Sequence, residues 1–244
     1  MNEYQITGKK LLSDDIAVFQ LSPVAKELLT FQPGQYCLIS DPDFEKPEEE
    51  HIFSIASEPE NRHHLEFAVR AYGRWTKNLL KQEKGKKLKI RGFFGKFLMP
   101  EKCGAAVFLV GGVGISPVIS ILRHLARKKS DSYLRLFYGN RTPDSAVYGT
   151  ELKELEKDLP GFKVIEVFSE SPGNTDALSG FISRELLTSE IDMQLLPVFF
   201  ISGPPVFLIK MAGILKELGV PPKNIKMEKI ISPRLPFLHP VNKK

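Results

Sequence analysis

The sequence predicts two domains in series: an antiparallel β-barrel or sandwich, then an α/β domain built on a parallel sheet. Three observations carry this reading. Roughly the first hundred residues hold short, mostly alternating apolar segments cut by turn residues. After them, apolar runs alternate with segments of helical period, the pattern of βαβ units. The change falls at Met99–Cys103, and a length of 244 residues suits two small domains. The expected bounds are 1–102 and 103–231, with a tail at 232–244.

The elements follow in chain order. Strands are expected at Tyr4–Lys10, Ile16–Leu21, Gln35–Ile39, Ile52–Ala56, Leu65–Arg70 and Lys87–Gly92. Asp14-Asp15, Ser22-Pro23, Pro33-Gly34, Asp41-Pro42, Glu58-Pro59 and Lys84-Gly85 supply the turns between them. Phe44–Glu50 is acidic, carries Pro47 and reads as an exposed loop. In the second half, strands are expected at Ala105–Val110, Leu134–Tyr138, Lys163–Phe168 and Val198–Ser202. Helices follow them near Ser116–Lys128, Thr150–Asp158, Ser179–Ser189 and Pro205–Leu218. Ile225–Lys229 is expected as a last short strand, and Pro233, Pro236 and Pro240 make the tail extended.

Composition narrows the function. Cys37 and Cys103 are the only cysteines, too few for a four-Cys zinc or iron–sulfur site. A reducing cytoplasm is the expected compartment. A net charge of +5 suits phosphates or an acidic partner without implying nucleic acid. No apolar run reaches about 18 residues, and Met1-Asn2-Glu3-Tyr4 opens no basic-then-apolar leader. Neither a membrane span nor a secretory signal is therefore expected. His63-His64 are adjacent and expected on opposite faces of a strand, which disfavours a metal site. There is no G-x-S-x-G elbow and no G-x-x-x-x-G-K-[ST] loop.

Two strand ends carry the chemistry. In Phe108-Leu-Val-Gly-Gly-Val-Gly-Ile-Ser-Pro117, a buried strand passes through Gly111, Gly112 and Gly114 into a helix. Glycine allows a sharp turn and close backbone approach, with Ser116 as N-cap and Pro117 in the first turn. The amides of such a helix start suit a phosphate. A tight strand–helix turn with no ligand needs glycine too, so the loop alone leaves both readings open. Val198–Ser202 likewise runs into Gly203, Pro204 and Pro205 and then a helix. Alone this is a rigid helix start, but both ends fall on the carboxyl edge of the sheet, where α/β proteins bind ligands.

With these pieces the chain resembles the ferredoxin–NADP reductase superfamily over roughly Tyr4–Ile230, with the motifs in the family's order. The resemblance implies a flavin-binding antiparallel barrel followed by a Rossmann-like nicotinamide-nucleotide domain. Phe31-Gln-Pro-Gly-Gln-Tyr36 resembles the family's P-G-Q-[FY] turn. His51-Ile-Phe-Ser-Ile-Ala-Ser57 stands where the family has R-x-Y-S-x-x-S, with His51 for Arg and Phe53 for Tyr. That is closer to the variant of the ferric reductase and NADPH oxidase branch. The implied roles are Phe53 against the isoalloxazine, Ser54 near its N5, Ile55 beside it, and His51 toward the flavin phosphate. Val69–Leu79 resembles the phosphate-holding segment G-x-[WF]-[ST]-x-x-L. There Gly73 allows approach, Thr76 caps a short helix, Arg70 pairs with phosphate, and Trp75 serves as core or ligand contact. Gly92-Phe-Phe-Gly-Lys-Phe97 resembles the glycine turn that ends the barrel.

In the second domain, Gly111–Pro117 resembles the nucleotide pyrophosphate loop G-G-x-G-[IL]-[ST]-P. Tyr138 and Arg141 fall in a Y-G-x-R-like segment placed near the adenosine ribose. Ser202-Gly-Pro-Pro205 stands for the family's C-G-P-P, whose Cys sits near the nicotinamide C4. Glu228 matches a late Glu of the family, and Ile230 replaces the aromatic that often follows. Phe237 in the tail is a candidate cover for the flavin. Ser54, Ser202 and Glu228 are thus the implied catalytic set.

The resemblance implies a reductase. Bound FAD, with FMN as the alternative, takes a hydride from NADH or NADPH and passes electrons to a separate acceptor. That acceptor would be a ferredoxin or flavodoxin, an oxygenase component, free flavin or a ferric chelate. NADH is favoured over NADPH because Asn140–Ser145 holds Asp144 and a single Arg. Lys81, Lys84, Lys86, Lys87 and Lys89 could dock an acidic carrier, or form a solvated edge. No nucleic acid or membrane partner is expected, and the chain is expected to be a monomer. Two other classes compete. One is a flavin- or nucleotide-binding regulatory module without efficient turnover, favoured by Ser202, His51 and Phe53. The other is a methyltransferase, since Gly112-Val-Gly114 after a strand also suits S-adenosylmethionine; the barrel motifs argue against it.

Overall fold

The computed structural model describes residues 1–170 and 177–228. Lys229, Ile230, Phe237 and the rest of the predicted tail lie outside them.

The first domain carries strands β1 (Asn2–Ser13), β2 (Ile16–Pro23), β3 (Tyr36–Ser40), β4 (His51–Ser54), β5 (Leu65–Arg70) and β6 (Lys87–Phe94), with helix α1 (Arg74–Lys81) before β6. At the start of β1 the sequence alternates as a half-buried strand must: Tyr4 and Ile6 are buried, Glu3, Gln5 and Thr7 exposed. The sheet runs β4-β3-β6-β1-β2-β5 with every pairing antiparallel. Its two edges meet just past β4. The Ala56 N–H donates to the Glu66 carbonyl at 2.8 Å, and the Glu66 N–H donates to Ser57 Oγ at 3.2 Å. Between barrel and sandwich, the chain therefore forms the barrel. Phe19, Phe67, Trp75 and Leu79 lie in its core.

The second domain alternates strand and helix: β7 (Ala105–Gly111), α2 (Ile115–Arg127), β8 (Tyr133–Asn140), α3 (Gly149–Asp158), β9 (Phe162–Phe168), β10 (Leu178–Ser179), α4 (Arg184–Glu190), β11 (Val198–Ser202), α5 (Pro205–Glu217) and β12 (Ile225–Met227). The sheet is parallel, in the order β10-β9-β8-β7-β11-β12. Every residue of β7 is buried, because Val107 and Leu109 pack on one face and Phe108 and Val110 on the other. That is why the strand reads as an unbroken apolar run. α2 and α3 cover the Phe108/Val110 face together with barrel residues Ile16, Val18, Ala56 and Phe97; α4 and α5 cover the Val107/Leu109 face.

Two local expectations are corrected. The helix expected over Ser179–Ser189 begins later. Leu178–Ser179 adds an edge strand to β9, Gly180 turns the chain at φ +111°, and Ser183 caps α4 by accepting from the Leu186 N–H at 3.2 Å. His63 and His64 sit in a bend before β5 rather than on a strand, with Asn61 beside the His64 ring. Among the described residues no cluster could hold a metal ion, and no helix is long and apolar enough to cross a membrane.

Candidate functional site

The site is built where the barrel faces the carboxyl edge of the parallel sheet. Ser54 ends β4 and Ser202 ends β11. Glu228 follows β12, its N–H held by the Ile201 carbonyl at 2.9 Å. Both hydroxyls donate to this one carboxylate, Ser54 to Oε1 and Ser202 to Oε2. All three are buried: Ser54 is 8% exposed, Ser202 0% and Glu228 6%. Burial pushes the Glu228 carboxyl above its ordinary pKa, while the hydroxyls of Ser202 and Ser54 pull it back in part. The structure thus gathers the three predicted catalytic residues into one hydrogen-bonded group that joins both domains.

The glycine loops pack on each other. Gly112–Gly114 forms one turn of 3₁₀-helix between β7 and α2. A Cβ at Gly114 would stand 2.7 Å from the Gly203 nitrogen, so this glycine serves the contact between the two loops. Gly112 has φ +55° and faces the barrel instead, where the nearest atom to a Cβ would be Arg70 Nη1 at 3.5 Å. Arg70 also approaches Asp15, at 3.3 Å. Beside these residues opens a cavity of about 240 Å³, whose lining includes Arg70, Gly111, Gly112, Arg141 and Pro204. Its lining also includes Tyr72, Phe181, Phe207 and Lys210, which sequence reasoning missed. Phe207 could have been found from helix phase, since it falls in the first turn of α5. Lys210, its cation 4.9 Å from the Phe181 ring, depends on contacts that no local pattern shows.

Several predicted roles are corrected. Ser116 is not the N-cap of α2: the cap is Gly114, and Ser116 Oγ donates back to the Val113 carbonyl at 3.1 Å. Thr76 is not the cap of α1 either. Gly73 is, and Thr76 Oγ1 accepts from the N–H groups of Tyr72 and Gly73 at 2.9 and 3.1 Å. Tyr138 is fully buried and donates to the carbonyls of Gly112 and Val147, so it props the glycine loop from behind. Ile55 lies wholly in the barrel core with its N–H bonded to the Gln35 carbonyl. Trp75, open between core and ligand contact, packs its ring in the barrel core, stacked on His51 at 4.2 Å between centroids and tilted against Phe53 at 5.7 Å. His51 also lies 3.4 Å from Glu49. Asp144 lines a different cleft, of about 1120 Å³ between β1 and α3, whereas Arg141 lines the smaller cavity beside Gly112. Within the predicted basic patch, Lys86 pairs with Asp41 at 2.6 Å and Asp43 at 2.8 Å, and Lys87 pairs with Glu3.

The residues present fit a flavin nucleotide. The Trp75 indole N–H is buried without a partner beside His51 and Phe53. A Cβ at Gly73, ahead of the first amides of α1, would meet nothing within 4 Å. An aromatic stack, an unspent donor and an open helix start are the donor set such a group needs.

Comparison with known proteins agrees with this division of labour. The model of the oxidoreductase FAD-binding domain matches residues 3–99, and that of the oxidoreductase NAD-binding domain matches 108–212. The reductase component of propane 2-monooxygenase from Rhodococcus jostii is 29% identical over 238 residues, 94% of this chain. The chain spans only 63% of that relative's length. Among solved structures, the cytochrome P450 reductase GcoB of Amycolatopsis superposes with a TM-score of 0.82 at 23% identity, covering 93% of this chain and 69% of that one. A ferredoxin NADP⁺ reductase from Neisseria gonorrhoeae, solved with FAD and NADP, gives 0.77 at 22% identity, covering 93% and 97%. These two likenesses carry the fold. With the two family models matched in series along a barrel and a parallel α/β sheet, the chain belongs to the ferredoxin–NADP reductase superfamily.

Proposed function

We propose that this chain is a flavin reductase module that draws electrons from NADH or NADPH and delivers them to a separate acceptor. The observation that carries the proposal is the Ser54–Glu228–Ser202 group, which joins the predicted flavin motif to the predicted nicotinamide edge. Bound FAD would supply the two-electron chemistry. The chain's own residues bind, orient and shield. Arg70 offers a cation next to Gly112, where nucleotide phosphates are expected. Arg141 and Lys210 add cations to the same cavity. Glu228, with its raised pKa, can hold a proton at a carboxylate oxygen, and Ser54 Oγ is placed to exchange it with whatever lies against β4. Ser202, a hydroxyl where the family has a thiol, is the stronger donor and fixes that carboxylate from the nucleotide side.

In this proposal residues 1–102 form the flavin domain and 103–231 the nucleotide domain. An oxygenase component is the favoured acceptor class, in line with the reductase role named for the Rhodococcus protein. With Lys86 engaged by Asp41, an acidic carrier would meet Lys81, Lys84 and Lys89. The working picture is a cytoplasmic monomer. An anaerobic absorption spectrum, taken before and after NADH and then NADPH, tests the proposal. Flavin bands that bleach support it and name the donor. Bands that persist with both nucleotides favour the binding-module reading, and a protein that stays colourless after FAD addition ends the flavoprotein reading.

A further inference from the structure

The barrel meets the α/β domain along one face of α2. Ser120, Arg123, His124 and Arg127 recur at the spacing of one helix face. All four reach the barrel segment 56–66, which begins two residues after Ser54. Ser120 Oγ donates to the Ser57 carbonyl at 2.6 Å. Arg123 Nη1 donates to the Ala56 carbonyl at 2.8 Å and to Glu66 Oε1 at 2.9 Å. His124 lies 2.7 Å from Glu60, and Arg127 lies 3.3 Å from Glu58.

Arg123 does more than the others. Its Nε and Nη2 form a bidentate pair with Glu151 of α3, at 2.6 and 2.9 Å. Tyr148, just before α3, donates to the same Glu66 oxygen at 2.9 Å and lies under the guanidinium at 5.1 Å. To do so Tyr148 holds φ +65°, a left-handed conformation that side chains of its size seldom adopt. Such a conformation persists only where its surroundings fix it, and here the fixing contacts are Glu66 and Arg123. Burial works against the Arg123 charge, but Glu151 and Glu66 outweigh it and keep the guanidinium protonated. A lysine offers no planar fork able to serve Ala56, Glu66 and Glu151 together.

We infer that Arg123 is the positioning residue that sets the nucleotide loop at the head of α2 in register with the flavin motif ending at Ser54. The inference rests on the roles given to those two segments under the proposed function. One end of α2 carries the Gly112–Gly114 turn, and its other half is bolted to the strand that closes the barrel. A tilt of α2 would move the glycine loop and the Ser202 edge packed on it relative to Ser54.

The test compares Arg123→Lys and Tyr148→Phe with the unaltered FAD-loaded chain. Stopped-flow reduction by the preferred nucleotide gives the limiting rate and the half-saturating concentration, and amide hydrogen exchange reports on residues 56–58 and 146–149. Arg123→Lys should cut the limiting rate about tenfold or more, since ångström-scale misplacement costs up to about a hundredfold. The half-saturating concentration and FAD affinity should hold within about twofold, and exchange in both segments should rise about tenfold or more. Tyr148→Phe, which loses one bond to Glu66, should move both readouts the same way by less. Faster exchange with an unchanged limiting rate would make Arg123 merely structural and overturn the inference. If Arg123→Lys does not fold, Tyr148→Phe decides by the same criterion. Failure of the unaltered chain to be reduced by either nucleotide would instead overturn the proposed function, and the inference with it.

Discussion

Ser54 of the barrel donates its hydroxyl hydrogen bond to Glu228, 174 residues further along the chain and at the far edge of the second sheet. Ser202 donates to the other oxygen of the same carboxylate. Glu228 is therefore the one ionisable group bonded to both predicted ring-facing edges among the described residues.

Its protonation makes a stability prediction. Burial raises the native pKa above the ordinary 4.5, against the pull of Ser202 and Ser54. The native state then binds the proton more tightly than the unfolded state. The stability this lends is complete below the ordinary pKa and is lost as pH rises through the raised native value. Glu228→Gln, neutral at every pH, should remove that loss. Melting temperatures of the two proteins should keep a constant offset at acid pH and shift in favour of Gln as pH rises above about 4.5. Parallel curves across the whole range would mean that Glu228 titrates normally.

Ser202→Ala should leave the fold intact and slow flavin reduction. It removes one of the two donors to a buried carboxylate, an interaction worth about 1.5–3 kcal/mol for a charged acceptor. If that bond matters in the transition state, the limiting rate falls about ten- to hundredfold. Stopped-flow reduction measures it. An unchanged rate would show that Ser202 only holds Glu228 in place. Ser202→Cys, which restores the family's thiol with a weaker donor, should fall between the two.

Gly114→Ala should damage nucleotide binding through the second loop rather than through the first. The added Cβ would stand 2.7 Å from the Gly203 nitrogen and 2.8 Å from its Cα, both backbone atoms that cannot swing aside. Overpacking of this kind costs about 1–3 kcal/mol. The expected result is a lower melting temperature and weaker NAD(P)H binding by calorimetry, with FAD affinity unchanged. Loss of FAD instead would tie the loop to the barrel.

The sequence made much of this legible, for reasons that differ along the chain. β7 and β11 are covered on both faces, so their apolar runs are continuous and their ends stand out against glycine and proline. The start of α4 was not legible, because the edge pairing of Leu178–Ser179 with β9 is tertiary. Tyr138 carried a motif-based role on the ligand side, yet the pleat turns its ring inward to Gly112 and Val147. Ser54 and Glu228 were each singled out by the family's motif order, but the bond between them, 174 residues apart, carried no signal in the sequence. Arg123 and Glu66 had no signal at all, since two charged residues 57 positions apart look like surface until the domains meet.

The lysine stretch gives the last prediction, because the structure divides what the sequence presents as one patch. Lys86 is mostly covered and pairs with Asp41, whose side chain is 3% exposed. Burial disfavours its charge, but Asp41 and Asp43 more than compensate and raise its pKa. Lys86→Glu would set a third carboxylate beside those two and should destabilise the barrel by about 3–5 kcal/mol, the usual cost of breaking a buried pair. Lys84→Glu with Lys89→Glu should change stability by no more than about 0.5 kcal/mol each, as surface substitutions do. The pair of double and single variants separates folding from docking. If an acidic carrier binds this face, the double variant slows electron delivery at low salt and loses that effect as ionic strength rises. If delivery and its salt dependence match the unaltered protein while Lys86→Glu unfolds, the lysines serve the barrel alone and the acceptor docks elsewhere.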